Sequence, residues 1–138
     1  MSGRPAAVVA GVMAALLIGN GLAMLIAPEP WYWTVPGVAE RGPFNHHFVR
    51  DIGMAYLLVG GCFAAGIALP GQRLALWAVP TAWLAGHALF HVWEVAGGHM
   101  PPGALLEDFA GVMLPTLIGL DLCVGARRSG GSSAAGPV

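Results

Sequence analysis

Four long apolar stretches alternate with short polar or turn-rich links along the chain, over residues 5–27, 45–69, 73–97 and 103–126. Each reaches the ~20 residues needed to carry an α-helix across roughly 30 Å of hydrocarbon. The links are punctuated by Pro28 and Pro30, by Pro70-Gly71, and by Gly97-Gly98 followed by Pro101-Pro102, residues that end helices and turn chains. Links this short make successive helices antiparallel neighbours. A β-barrel is disfavoured, because the apolar runs are too long for strands and show no period-two alternation. The expected fold is therefore all-α: an antiparallel bundle of four transmembrane helices in one domain, residues 1–128, with a Gly/Ser/Ala-rich tail at 129–138 expected to be disordered. A cleavable signal peptide is the rival reading of the first stretch, since Arg4 precedes it and Ala23 and Ala27 are small. Its apolar run exceeds the ~7–15 residues of a signal core, which favours a retained helix.

Composition agrees with a membrane protein. Of the 138 residues 57% are hydrophobic and 9% charged, and mean hydropathy is +0.70, against about a quarter charged in soluble domains. With no lysine, six arginines and a net charge of -1, the chain has no basic surface for nucleic acid. Arg4, Arg73, Arg127 and Arg128 fall on one side of the bundle, and Arg41 and Arg50 on the other. The positive-inside rule then places both termini in the cytoplasm of a bacterial inner-membrane protein. Cys62 and Cys123 map to the cytoplasmic halves of their helices, where a structural disulfide is not expected.

On this topology all five histidines and six of the seven acidic residues lie toward the outer face. His87, His91 and Glu94 follow at spacings of four and three and share one helix stripe, and His47, Arg50, Asp51 and Met54 form a second stripe with His46 beside it. At ~1.5 Å per residue, His91 and Asp51 lie about 9 Å inside their helix ends, His87 about 15 Å and Glu107 about 6 Å. Ionisable groups at such depth cost up to about 2.5–3.5 kcal/mol each, so they normally face the bundle interior and pair. Arg50 with Asp51 or Glu94 is the expected pair.

Three readings of this cluster are open. In the first, His87, His91 and Glu94, joined by His47 and Asp51, bind a transition metal (copper, zinc, iron or nickel), which imidazole and carboxylate suit. The supporting network would be His46, Arg50, Glu107 and Asp108. In the second, the same groups handle protons or hold a quinone head, with haem ligation as a variant. In the third, they form an interhelical network that fixes bundle register. Membrane hydroxylases and desaturases need more histidines than five. The opposite end offers only Asp121 among Leu120, Leu122 and Cys123, too little for an end-to-end ion pathway. No nucleophile or acid–base pair with defensible geometry is visible, so no catalytic residue is assigned and an auxiliary role is expected.

Ala7, Gly11, Ala15, Gly19, Ala23 and Ala27 recur at four-residue intervals in the first helix. This is the small-xxx-small pattern of close helix contact, either within the chain or with another subunit or a second copy. Asn20 is expected to hydrogen-bond across such a contact, and Pro80 and Pro115 to kink their helices. In the long outer link, Trp31-Tyr32-Trp33, Val35 and Phe44 suit a loop at the headgroup level, with a lid over a site as the alternative.

The run from Gly42 to Gly53, containing Phe48-Val49-Arg50-Asp51-Ile52-Gly53, together with His87-Ala88-Leu89-Phe90-His91-Val92-Trp93-Glu94, resembles a class of small bacterial four-helix inner-membrane proteins, DoxX-like in size and topology. The resemblance spans about residues 21–119. It implies a link to quinone-coupled sulfur oxidation or respiratory redox complexes, and hence the role of an accessory subunit, but it transfers no residue role.

Overall fold

A computed structural model describes residues 3–134, with side chains described through residue 130. The described chain is entirely helical apart from turns and links. Four long helices, α1 (Gly3–Ile26), α3 (His46–Ala68), α4 (Arg73–Ala96) and α6 (Leu114–Ala134), are joined through two short ones, α2 (Pro28–Thr34) and α5 (Ala104–Glu107). Three segments are long and apolar enough to cross a membrane: Gly3–Ile26, His46–Ala68 and Phe109–Gly130. α4 is as long as α1, at 24 residues, but carries His87, His91 and Glu94.

The first three expected spans coincide with α1, α3 and α4 to within two residues at each end. The fourth does not form as one regular helix. It breaks into α5, a π-helical turn over Phe109–Met113, and α6. The Asp108 carbonyl accepts from Val112 at 2.8 Å and also from Met113, one residue further on, at 3.4 Å. The reason lies in Pro115, which has no N–H for the Gly111 carbonyl and whose ring crowds it, so the turn before it opens. α6 then continues through Ala134, into the segment from Ser129 expected to be disordered; residues 135–138 lie outside the described residues.

α1 packs chiefly on α3, and α4 lies between α3 and α6, whereas α1 and α6 meet only sparsely. The α1–α3 seam is made by glycines. A Cβ on Gly60 would sit 2.7 Å from Ile18 and 3.0 Å from the Ala14 carbonyl, and one on Gly21 would sit 2.7 Å from the Gly53 carbonyl. The four-residue stripe, read as a contact either within the chain or with another subunit, does not make this seam. Ala15, Gly19 and Ala23 are exposed, and a Cβ on Gly11 would meet only Ile67, at 3.7 Å. The intrachain contact uses another face of α1, where Ala6, Ala10, Ala14, Leu17 and Gly21 are buried.

Between α3, α4 and α6 the interior is held by hydrogen bonds as well as packing. The Trp77 indole donates to the Phe63 carbonyl at 3.0 Å, and the Thr116 hydroxyl lies 3.1 Å from the Leu84 carbonyl and 2.9 Å from that of Val112. Both cysteines are free, as expected.

Candidate functional site

The polar residues do not gather as one cluster. His47 and Asp51 pair with each other at 3.2 Å, but on an outward face of α3, with side chains 89% and 47% exposed. Arg50 also points outward and donates to the Leu25 carbonyl at 3.1 Å, satisfying one of the carbonyls that the last turn of α1 leaves open. The expected pairing of Arg50 with Asp51 or Glu94 is not formed. Among the described residues, the Glu94 side chain forms no hydrogen bond or ion pair, and no group of three or more His, Cys, Asp or Glu is placed to hold a metal ion. The five donors His47, Asp51, His87, His91 and Glu94 are thus divided between separate surfaces. His46 is exposed and stacks loosely with Phe44 at 6.1 Å.

What does converge is a smaller set built around Asp108. Its carboxylate is 6% exposed, and one oxygen, Oδ2, accepts from Arg41 Nη2 at 2.8 Å and from His91 Nδ1 at 2.7 Å. Three distant parts of the chain meet here: the 3₁₀ turn Ala39–Arg41 in the outer link, α4, and the residue between α5 and the π turn. With Nδ1–H donating to this carboxylate, the neutral form of His91 presents Nε2 as an acceptor. His87, one turn along α4, lies edge-to-face with His91 at 4.6 Å and stacks on Trp83 at 5.5 Å, and Trp83 in turn meets Tyr56 at 5.5 Å. His87 itself forms no hydrogen bond among the described residues.

Arg41 is anchored by the turn that precedes it. Gly37 adopts φ +78°, a left-handed conformation that favours glycine, and a Cβ there would fall 3.2 Å from Glu107 Oε2 and 3.4 Å from Arg41 Nη1. Glu107 and Arg41 therefore flank the same backbone position. The Arg41 Nε is buried and is the one buried side-chain polar atom without a hydrogen-bond partner among the described residues. Such an orphan donor marks a place that a ligand oxygen or water would complete.

These groups border a cavity of about 960 Å³. His87, His91, Asp108, Glu107 and Arg41 lie in its wall, while most of the remaining lining is apolar, including Trp83, Val12, Leu16, Ile52 and Ile118. The outer link covers it as well as lying at the surface. Tyr32 is buried and donates to the Gly42 carbonyl, and the Trp31 indole donates to Asn20 Oδ1 at 2.8 Å. Asn20 thus finds its partner in the covering segment α2, not in a neighbouring long helix. Trp33, by contrast, is 66% exposed.

The sequence places His87 and His91 at the candidate site and gives Asp108 and Glu107 a supporting role; Tyr32 enters it only in a surface loop or lid, and Arg41 and Trp83 not at all. Arg41 lies 67 residues before Asp108, beyond the reach of any helical spacing rule. The chain matches no protein-family model, no curated protein and no solved structure.

Proposed function

We propose that the chain is a multi-pass membrane protein that holds an amphiphilic aromatic ligand of the quinone class, with the polar head between His91, His87 and Arg41. α1, α3, α4 and α6 span the bilayer with both termini in the cytoplasm, and α4 is carried across by its neighbours. Its four-residue link to α3, residues 69–72, is too short to do anything but reverse the chain. The inner membrane of a bacterium and the role of an accessory redox subunit fit the DoxX-like resemblance.

One observation carries the reading: a large apolar cavity has a few convergent polar groups in its wall, the general form of a small-molecule site. The two ends of a quinol–quinone pair need an acceptor for a hydroxyl and a donor for a carbonyl. His91 Nε2, oriented by Asp108, supplies the first, and His87 or the Arg41 guanidinium the second. The flat faces of Trp83 and Tyr56 suit an aromatic ring.

The test is titration of purified protein with a short-tailed benzoquinone, read by saturable quenching of tryptophan fluorescence, together with quinone analysis of the co-purifying lipid. Saturable binding that weakens at least tenfold in His91→Ala and Asp108→Asn is expected. Non-saturable quenching, unchanged in both variants, refutes it.

A second reading has its own support. Asp108 already has two donors, and a carboxylate so paired can serve to lock the outer link onto α4 and α6. It predicts a stability loss in the same variants with no ligand bound by the wild type. The transition-metal reading has less geometric support, because its donors do not converge.

A further inference from the structure

The cavity is not closed on all sides. Val8, Val12 and Leu16 of α1 line it and yet are 66%, 57% and 69% exposed, and across the gap Leu114 of α6 lines it at 41%. These residues line one cavity beside the sparse α1–α6 seam, where no glycine contact like the one that closes α1 on α3 is seen among the described residues. No polar side chain lines this stretch of α1 below Asn20. From Asn20 to Val8 the lined stretch runs twelve residues, or about 18 Å of helix. It leads from the polar groups past the middle of α1 toward its N-terminal end. The end toward the outer aqueous phase is covered instead, by α2 and the turn bearing Arg41, fastened by the Trp31–Asn20 and Arg41–Asp108 bonds.

Resting on the site reading above, we infer that the α1–α6 seam is a lateral opening through which the ligand arrives from the lipid phase, and that the ligand carries an apolar tail that lies along Leu16, Val12 and Val8. A water-soluble aromatic of the same head chemistry is not its ligand. An open apolar trough inside a bilayer is filled by hydrocarbon in any case, so a tail that replaces lipid there needs no dewetting step. Its gain comes from packing and from tethering the head beside His91.

The experiment uses the full chain in lipid nanodiscs and two probes with one head group, a dimethoxy-methyl-benzoquinone without a tail and the same quinone bearing a ten-carbon tail. Affinities from tryptophan quenching are expressed against probe concentration in the lipid phase, which removes the trivial effect of partitioning. The tailed probe should bind at least tenfold more tightly. Val12→Phe and, independently, Val8→Phe should abolish that difference while leaving the affinity of the tailless probe within twofold. Both positions are exposed, so the added ring fills the trough without entering the core. Equal affinity of the two probes in the wild type, or a tail preference that survives both substitutions, overturns the lateral opening and leaves the head-group site standing. Failure of both probes to bind overturns the site itself and this inference with it.

Discussion

Replacing Asp108 tests the triad on which the site depends. Asp108 Oδ2 receives two donors at 2.7 and 2.8 Å in a position 6% exposed, and Arg41, its cationic partner, is 19% exposed. Removing one member of a buried ion pair typically costs about 3–5 kcal/mol, because the other charge is left without compensation. Asp108→Ala should approach that range. Asp108→Asn keeps the shape and one acceptor oxygen, so it should lose about 1.5–3 kcal/mol, the value of a hydrogen bond to a charged group. The outward His47–Asp51 pair is the internal control: His47→Ala should lose less than about 1 kcal/mol, as exposed pairs do. The assay is reversible unfolding in mixed micelles of mild detergent and dodecyl sulfate, followed by far-ultraviolet circular dichroism. A double-mutant cycle of Asp108→Asn with Arg41→Gln should show that the two losses are not additive. Additive losses, or an Asp108→Ala variant no less stable than His47→Ala, would refute the reasoning.

Three further outcomes follow from the packing. Gly60→Ala should destabilise the bundle by about 1–3 kcal/mol, since its Cβ meets the Ala14 carbonyl and the Ile18 backbone nitrogen at 3.0 and 3.1 Å; Gly19→Ala, with nothing within 4 Å, should leave monomer stability unchanged in the same unfolding assay. Thr116→Val removes the hydroxyl between the Leu84 and Val112 carbonyls and should cost about 0.5–1.5 kcal/mol, read as a lower thermal midpoint. Trp31→Phe, which deletes the donor to Asn20, should speed protease cleavage within the outer link, residues 28–44, while leaving α1 and α3 protected; an unchanged digestion pattern would show that this bond does not hold the cover.

The long helices were legible because hydropathy and turn residues vary along the chain on the scale that a bilayer imposes. Azimuth was not. Depth places Asp51 and His91 at the same height, but height says nothing about which way a stripe faces. His47 and Asp51 therefore satisfy each other on the outside of α3 while His91 turns inward. Nor did the small-residue stripe of α1 name its partner: small side chains occur on more than one face, and the glycines of α3 select the face bearing Ala14 and Gly21. The break at Asp108 was hidden because its cause is joint. Pro115 opens the turn locally, and the carboxylate it exposes is claimed by an arginine from a loop whose aromatic residues read equally well as a surface belt. Arg41 counted in the sequence as a topology charge, and only its burial against Asp108 reveals its second use.

Photolabelling addresses the proposed ligand site most directly. A quinone bearing an azido group on its head, irradiated with the protein in liposomes and mapped by peptide mass spectrometry, should attach within residues 83–91 of α4 and 107–115 around Asp108. Excess unlabelled quinone should suppress the labelling, and Asp108→Asn should lose it. Adducts scattered over the outward faces of α1 and α3, insensitive to competition and to that substitution, would contradict the account.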